Sequence, residues 1–421
     1  MGTTGYSAVK ILKKLNGKII CWDDNIKIRK DLKKLKVSVS KFWLRKEIID
    51  FIVISPGIDI NNCRIKKYLN KNIKKIITDI DIFFEFNKKN TIISVTGTNG
   101  KSTTCKIIEK ILKTAKYKVK TIGNIGTPVL SAGIQNKKKI FILEVSSYQL
   151  QYSKQFKSNH ALILNVSPDH LERHKNIRNY IKIKSKIFFS QKKEDYSYIN
   201  LENKYAKIIK NIYKSKKIKS KLFLIKKTNY EPILKKINNN YFKNQGNIEN
   251  LCFAYALAKN LKIKNNTIIK AINNFKGLPH RQEIIFSNKK MLCINDSKAT
   301  SFDATSQSLS SYKNIYWIVG GVPKYKDYFN FYKVKKNIVK TYIIGKNISF
   351  FEKKVKNIIN YKISHTLQNA LNNIYVDLEK VKNLHSTILF SPAAASFDQY
   401  DNFETRGNFF RNIIFKKFNK N

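Results

Sequence analysis

The stretch Ile92-Ile93-Ser94-Val95-Thr96-Gly97-Thr98-Asn99-Gly100-Lys101-Ser102-Thr103-Thr104 decides the fold of this chain. An apolar run, a glycine-containing turn and an amphipathic pattern predict a strand, a loop and a helix N-terminus, in that order. Glycines let such a loop turn tightly and point its N–H groups inward, and the helix dipole adds positive potential. The stretch therefore predicts a phosphate-binding loop.

Three side chains of this loop are candidates for nucleotide chemistry. Lys101 supplies a mobile cation for the outer phosphates, and Ser102 or Thr103 supplies a hydroxyl for Mg²⁺. Strict Walker spacing would place the first glycine at Val95, so Gly97 takes that role in a shorter variant. The alternative is a glycine-rich strand-helix turn that carries a surface lysine.

Composition limits the class of protein. A chain of 421 residues holds roughly two to four domains. Its five cysteines are scattered singly, which predicts buried thiols in a reducing cytosol. We expect a cytoplasmic protein with no membrane partner, because the N-terminus has no signal-peptide pattern and no apolar run is long enough to span a bilayer.

The formal net charge of +54 raises the question of nucleic-acid binding. The lysines are spread along the whole chain among isoleucines and asparagines, a pattern typical of biased base composition. We therefore predict no nucleic-acid partner and a general attraction for anionic small substrates.

The sequence predicts an α/β protein of three domains, with boundaries near residues 1–88, 89–276 and 277–421. In the first, Met1–Ser7 resembles the glycine turn of a Rossmann-type unit, followed by a helix from Ser7 to Leu15. Strands are predicted at 18–24 and 51–58. Since no strand precedes the glycine turn, we expect that the first strand is missing and that full activity needs residues upstream of Met1.

The second domain alternates apolar runs with helical patterns, which predicts a mainly parallel sheet. After the loop, strands are predicted at 119–122, 140–143 and 161–164, and a helix at 251–261. Glu144 closes one strand and His170 follows another, where they can bind Mg²⁺ or position phosphates. Each also fits a structural role. By composition alone, Lys182, Lys184 and Lys186 form a solvated helix face.

The third domain follows a linker at 278–283. Strands are predicted at 291–294, 315–319, 339–344 and 387–390. Polar stretches follow three of them, at 295–300, 320–324 and 391–396. Their lysines and hydroxyls suit a carboxylated substrate, although ordinary surface turns remain the alternative.

Together, these motifs resemble the ATP-dependent Mur ligases of peptidoglycan synthesis, over essentially the whole chain. The resemblance rests on the phosphate-binding loop and on Ser55–Ile58, Gly123–Gly126, Glu144–Leu150, Asn165–His170, Leu278–Arg281, Asn295–Thr300 and Ser391–Gly407. The loop is shared with folylpolyglutamate synthases. The last two stretches indicate the branch that adds D-glutamate to UDP-N-acetylmuramoyl-L-alanine.

The resemblance implies a cytoplasmic, monomeric ligase of cell-wall biogenesis, which serves cell shape and cell division. It implies a Rossmann-like first domain, a central P-loop ATPase domain and a Rossmann-like third domain. It also implies that ATP phosphorylates the alanyl carboxylate and that the amine of D-glutamate attacks the acyl phosphate. The implied Mg²⁺ positions are Ser102, Glu144, His170 and Lys184, where Lys184 would be carbamylated. The implied catalytic residues are Lys101, Glu144, His170 and Lys184.

The resemblance also assigns the binding residues. The nucleotide positions are Gly97, Thr98, Asn99, Gly100, Lys101, Ser102, Thr103, Asn250, Arg281 and Asp296. The D-glutamate positions are Lys298, Thr300, Lys324, Ser396 and Phe403. The UDP-sugar positions are Thr3, Thr4, Asp23, Ser55, Gly57 and Asn124. One departure is Gly246, where the family usually has histidine.

Three other interpretations remain open at this point. The chain could be a folylpolyglutamate synthase or another Mur ligase, against which the run from Ser391 and the first domain argue. It could be a basic nucleic-acid-binding ATPase, which would need lysines clustered in one stripe with interleaved aromatics. It could also be a decayed, structural remnant, an interpretation that the short N-terminus leaves open.

Overall fold

The structure is a computed structural model that describes residues 1–44, 48–123, 127–134, 138–324, 327, 329–381 and 385–418. Its internal contacts divide the chain into two compact units. The first comprises Met1–Asn238 and Glu249–Asn274, and the second comprises Asn239–Ile248 and Phe275–Asn421. The boundaries of the three predicted domains stay a prediction.

The first 88 residues form short elements. In chain order they are α1 (Thr3–Lys14), β1 (Ile20–Cys21), α2 (Ile26–Lys34), β2 (Ser38–Val39), β3 (Ile52–Val53), α3 (Lys66–Lys71), β4 (Ile76–Ile77) and α4 (Asp79–Asn87). Strand β1 pairs with β2 and β3 with β4, both in parallel. The strands are shorter than predicted, because only two residues of each apolar run enter a ladder. The predicted glycine turn over Met1–Ser7 is wrong from Thr3 onward, where α1 begins.

The rest of the first unit is built on a parallel sheet. Its elements are β5 (Thr91–Thr96), α5 (Lys101–Thr114), β6 (Val119–Gly123), β7 (Ile140–Glu144), α6 (Ser147–Tyr152), β8 (His160–Ile163), α7 (Leu171–His174), α8 (Ile177–Ser185), β9 (Tyr196–Asn200), α9 (Ala206–Ser215), β10 (Lys221–Ile225), α10 (Glu231–Leu234), α11 (Gln245–Asn260) and α12 (Asn265–Asn273). Helix α11 runs from the second unit into the first.

The six strands of this sheet lie in the order β10-β9-β8-β5-β7-β6, and every pair is parallel. The phosphate-loop strand β5 is central. Helix α5 buries Ile107, Ile108, Ile111 and Leu112, as their spacing predicts. Strands β9 and β10 lie in residues 194–241, where no strand was predicted, so the sheet extends further than the sequence pattern indicates.

The second unit holds another six-stranded sheet. Its elements are β11 (Glu283–Ser287), β12 (Met291–Asn295), α13 (Phe302–Ser311), β13 (Ile315–Gly320), β14 (Ile338–Ile344), α14 (Ile348–Val355), β15 (Tyr361–His365), α15 (Leu367–Glu379), β16 (Ser386–Phe390) and α16 (Phe403–Phe418). The order is β11-β12-β16-β13-β14-β15, parallel except for β11 against β12. The α/β class and the four predicted strands are confirmed; β11 and β15 were not predicted.

Short 3-10 helices join several elements. They lie at Phe42–Leu44, Ile73–Lys75, Val129–Ala132, Lys186–Phe188, Lys227–Tyr230, Asn240–Lys243, Phe331–Lys333 and Lys335–Asn337. Within the residues described above, no helix has both the length and the apolar character needed to cross a bilayer.

Candidate functional site

The loop after β5 has the predicted geometry of a phosphate-binding turn. Gly100 precedes α5 with a φ of +82°, a left-handed conformation that favours glycine. A Cβ on Gly100 would also collide with the amide group of Asn250. That side chain is held by Thr104, whose hydroxyl donates to Asn250 Oδ1 at 3.1 Å. The close approach explains why this position is glycine and places Asn250 against the loop.

Two lysines converge on one carbonyl of this loop. Lys101 Nζ donates to Gly97 O at 3.0 Å and to Thr98 O at 2.8 Å. Lys184 Nζ donates to the same Gly97 oxygen at 2.8 Å. Lys184 is only 1% exposed, so the composition-based interpretation of a solvated face is wrong for it. Its burial, reinforced by the nearby Lys101 cation, holds the pKa of Lys184 well below its usual range.

A carboxylate and a hydroxyl meet beside the loop. Glu144 ends β7, and Ser102 lies in the first turn of α5. Ser102 Oγ donates to Glu144 Oε2 at 2.7 Å, and both side chains are 3% exposed. Oxygen donors of this kind are the ligands that Mg²⁺ prefers. Across the described residues, no cluster of three or more His, Cys, Asp or Glu side chains is placed to hold a metal.

His170 lies further along the same sheet edge, just before α7. Its backbone is left-handed, with a φ of 53°, and its side chain is about one-third exposed. The hydroxyl of Tyr148 lies 2.9 Å from His170 Nδ1, and Asp169 Oδ2 lies 3.4 Å from Nε2. The imidazole is therefore oriented from both of its nitrogens, and the contact with Tyr148 was not predicted.

The side chain of Asn165 makes two hydrogen bonds to the backbone of the phosphate loop. The sequence pattern predicts no role for it. Its Oδ1 accepts from Asn99 N at 2.8 Å, and its Nδ2 donates to Asn99 O at 3.2 Å. The neighbouring Thr98 Oγ1 donates to Ser167 O at 3.2 Å. The signal in the sequence was an asparagine shortly after β8, the strand that pairs with the loop strand β5. The remaining predicted loop residue, Thr103, is buried in the first turn of α5.

The predicted UDP-sugar residues lie at separate places in the first unit. Thr3 and Thr4 form the first turn of α1. Asp23 follows β1, pairs with the N-terminal ammonium group and accepts from Asn25 N at 2.8 Å. Ser55 and Gly57 lie in the turn after β3. Asn124 lies outside the described residues.

In the second unit, three predicted polar strand ends lie side by side. Strand β16 pairs with β12 on one side and with β13 on the other, so the residues that follow these strands share one edge. The stretches after β13 and β16 are joined directly, because Val322 and Ala395 exchange two backbone hydrogen bonds of 2.9 Å. Three candidates, Lys324, Ser396 and Thr300, belong to these stretches.

Asp296 is enclosed in a polar cluster at this edge. Its Oδ2 accepts from Ser308 Oγ at 2.7 Å and from Ser391 Oγ at 2.8 Å, and its Oδ1 accepts from Gln282 N at 3.1 Å. Burial raises the pKa of Asp296 to about 6, although these hydrogen bonds and the charge of Arg281 oppose the shift. The role of Arg281 and Asp296 in nucleotide binding stays a prediction.

Two of the D-glutamate candidates, Lys298 and Phe403, are in contact. Lys298 Nζ lies 3.9 Å from the centroid of the Phe403 ring, a cation–π arrangement. The loop and the helix that carry them are further joined by Ser297 Oγ, which donates to Phe403 O at 2.8 Å. Lys298 and Phe403 are therefore neighbours, and their role in binding D-glutamate stays a prediction.

Arg406 holds two of these stretches together, a role that sequence reasoning missed. It is 1% exposed, and its guanidinium donates to Ser297 Oγ at 3.1 Å, Ser297 O at 2.8 Å and Ala394 O at 2.9 Å. Burial lowers the pKa of Arg406 to about 10, where it remains a cation at neutral pH. The signal was an arginine next to Gly407 in a helix that follows the last strand.

The Gly246 departure also has a structural counterpart. Gly246 is buried in α11, and a Cβ there would collide with the side-chain amide of Gln307. Gln307 therefore fills the space that a side chain at position 246 would occupy.

Comparison with known proteins tests the predicted resemblance. A family model for the Mur ligase middle domain matches residues 95–268. The UDP-N-acetylmuramoylalanine–D-glutamate ligase of Rickettsia felis is 36% identical over 97% of this chain and 95% of its own. The chain belongs to the Mur ligase family. The ligase of the same name from Clostridioides difficile is 31% identical over 98% of this chain and 96% of its own.

A solved structure supports the same fold. The MurF ligase of Thermotoga maritima in complex with ADP aligns with a TM-score of 0.57, at 14% identity, over 90% of this chain and 100% of its own. As a Mur ligase, the chain is an ATP-dependent, amide-forming enzyme of peptidoglycan-precursor synthesis. The predicted family, its multidomain α/β fold and the use of ATP are confirmed.

Proposed function

We propose that this enzyme adds D-glutamate to UDP-N-acetylmuramoyl-L-alanine through an acyl-phosphate intermediate. The observation that carries the proposal is the convergence of Lys101 and Lys184 on the Gly97 carbonyl, beside the Ser102–Glu144 pair. Lys101 supplies a cation, and Ser102 and Glu144 supply candidate metal ligands, at the loop that we propose binds the phosphates of ATP. The names of the relatives support the choice of substrates.

In the first half-reaction, the loop stabilises the charge of the phosphoryl group that is transferred. Attack by the alanyl carboxylate on the γ-phosphorus of ATP breaks the bond to ADP and forms the acyl phosphate. Charge develops on the phosphoryl oxygens during this transfer. Lys101 and the loop N–H groups at the start of α5 stabilise that charge from fixed positions.

The residues present fit a Mg²⁺ ion. Ser102 and Glu144 offer a hydroxyl and a carboxylate, and His170 offers Nε2 while Tyr148 contacts Nδ1. When bound, Mg²⁺ screens the phosphates and orients them. The lowered pKa of Lys184 favours a neutral amine, which can add CO₂ and release a proton to give a carbamate. This adds an anionic oxygen ligand to the set.

The second half-reaction needs a bound D-glutamate. Lys298, Lys324 and the hydroxyls of Thr300 and Ser396 are groups that bind carboxylates. Phe403 packs against the Lys298 ammonium and limits its freedom. The amine of D-glutamate attacks the acyl carbon, and phosphate leaves from the tetrahedral intermediate.

The remaining assignments follow the same scheme. We propose Asn250, Arg281 and Asp296 as contacts of ATP. We propose Thr3, Thr4, Asp23, Ser55, Gly57 and Asn124 as contacts of the sugar nucleotide. The enzyme is proposed to act as a cytoplasmic monomer that binds neither nucleic acid nor membrane.

Release of ADP and phosphate by the purified enzyme tests the proposal. We expect turnover with Mg²⁺-ATP only when both UDP-N-acetylmuramoyl-L-alanine and D-glutamate are present, and none with L-glutamate. Lys101→Ala is expected to lower kcat by about 10²–10³-fold. The control is Lys106→Ala, whose ammonium pairs with Glu109 one turn along α5. The proposal would be contradicted if the rate of ATP hydrolysis did not depend on the sugar nucleotide, or if DNA increased that rate.

A further inference from the structure

Arg173 in α7 reaches a turn of the first 88 residues. Its guanidinium donates through Nη2 to Ile58 O, and Nη1 lies 3.5 Å from Gly57 O. Its Nε donates to Gln151 Oε1 at 2.9 Å, which fixes the plane of the fork. One side chain of the α7 segment therefore holds two successive carbonyls of the turn 55–58.

The same guanidinium also lies close to two aromatic rings. Its Cζ is 5.5 Å from the ring centroid of Tyr148 and 5.8 Å from that of Tyr152. A guanidinium at this distance attracts the ring face and restricts the ring's motion. Arg173 thus contacts the turn and helix α6 at once, through groups that a lysine could not reproduce.

Tyr148 continues the chain of contacts to His170, through the 2.9 Å approach of its hydroxyl to Nδ1. A tyrosine hydroxyl can accept a hydrogen bond from Nδ1–H, and Nε2, which lies 3.4 Å from Asp169 Oδ2, would then be the ring nitrogen that faces a metal. Partners of this type fix the tautomer and the ring orientation of metal-binding histidines. One continuous series of contacts within the first unit therefore runs from Gly57 to Arg173, from Arg173 to Tyr148, and from Tyr148 to His170.

We propose that Arg173 is a positioning residue that couples sugar-nucleotide binding at the turn 55–58 to the orientation of His170 through Tyr148. The inference rests on the proposed function, in which the turn binds the sugar nucleotide and His170 binds the metal. Coupling of this kind is reciprocal, so each ligand tightens the binding of the other. Disrupting the fork of Arg173 removes the coupling without removing either set of ligands.

The test measures Mn²⁺ binding by electron paramagnetic resonance, with and without UDP-N-acetylmuramoyl-L-alanine. In the wild-type enzyme we expect the sugar nucleotide to tighten Mn²⁺ binding by about fivefold or more. In Arg173→Lys and in Tyr148→Phe this factor falls to about one, because each variant breaks one step of the series. The matched control is Arg178→Lys, an exposed arginine in the neighbouring helix α8, for which the factor is unchanged.

Amide hydrogen exchange of residues 55–60 separates the two variants. Arg173→Lys is expected to speed exchange there by about tenfold, since the carbonyls lose their fork, whereas Tyr148→Phe leaves it unchanged. Equal coupling factors in wild type and Arg173→Lys would overturn the inference. A wild-type protein that does not bind the sugar nucleotide contradicts the proposed function instead, and the exchange comparison then decides separately whether Arg173 holds the turn.

Discussion

The polar residues at the carboxyl ends of the two six-stranded sheets differ in charge and in their hydrogen-bond partners. At the first, Lys101 and Lys184 bring basic groups onto a backbone carbonyl of the phosphate loop. At the second, a carboxylate, Asp296, accepts from hydroxyls and an N–H, and Arg406 ties two loops together. The first arrangement brings a lysine cation and a buried lysine of lowered pKa to the loop that we propose as the phosphate site, and the second is a frame that joins loops to each other. Substitutions at the first should therefore cost activity, and substitutions at the second should cost stability.

Lys184 offers the sharpest test of this difference. Lys184→Arg places a permanent cation at this position and cannot form the proposed carbamate, so we expect turnover to fall by at least about 10³-fold. Lys184→Met should be equally inactive. It should also unfold at a higher urea concentration at neutral pH, because it removes a buried amine whose charge is disfavoured by burial.

The control for both variants is Lys182→Met, on the exposed side of α8. It should leave ADP release and the urea midpoint nearly unchanged. Activity of the Lys184→Arg enzyme within about tenfold of wild type would show that a cation suffices at this position and would remove the carbamate from the proposal.

Glu144→Gln tests the metal role at the same sheet edge. The glutamine oxygen can still accept from Ser102, so the local hydrogen bond survives while the charge is lost. We expect the Mg²⁺ concentration for half-maximal ADP release to rise by at least about tenfold. Glu109→Gln in α5 removes a carboxylate paired with Lys106 and Lys113 and should not change it. An unaltered Mg²⁺ requirement in Glu144→Gln would exclude Glu144 as a ligand.

The contrast between the sheets also explains what the sequence could predict. The phosphate loop, its flanking elements and the polar strand ends follow from local pattern, because spacing and glycine positions determine them within a few residues. The contacts that hold the sites were missed because they join distant residues. Asn99 and Asn165 are separated by 66 positions, and Arg406 and Ser297 by 109.

Two errors have physical reasons as well. Lysine is so abundant in this chain that composition predicts a solvated face for Lys184, whereas the fold buries it beside the loop. The strands predicted at 18–24 and 51–58 shrink to two paired residues each, since an apolar run indicates burial but not the length of a ladder. Resemblance to a family, rather than periodicity, supplied the candidate role of Lys184.

Two arginines of α16 test the frame in the second unit. Arg406→Met should lower the free energy of unfolding by about 2–4 kcal/mol, because the buried carbonyls of Ser297 and Ala394 lose their donor. Arg411→Met breaks a partly exposed pair with Glu283 and should cost less than about 1 kcal/mol. Urea unfolding followed by circular dichroism measures both. Equal costs would show that the buried hydrogen bonds of Arg406 stabilise the fold no more than a partly exposed ion pair does.

The smallest effect is a change in the pH dependence of stability at Asp296. Burial raises the pKa of this carboxyl to about 6 in the folded protein, so between about pH 4 and 6 the folded state binds more protons there than the unfolded state. Asp296 therefore makes stability fall as pH rises through this window, by at most about 1.4 kcal/mol per pH unit. Asp296→Asn removes this contribution, so the unfolding free energy of wild type relative to the variant should decline from pH 4 to 6.

Asp401→Asn, an exposed position before α16, is the control and should show no such relative decline. If wild type and Asp296→Asn keep a constant difference across the window, the carboxyl titrates as in water and the frame around it is open. A decline in the wild-type protein that Asp296→Asn abolishes and Asp401→Asn does not would instead show that the hydroxyls of Ser308 and Ser391 enclose a buried acid at the second sheet edge.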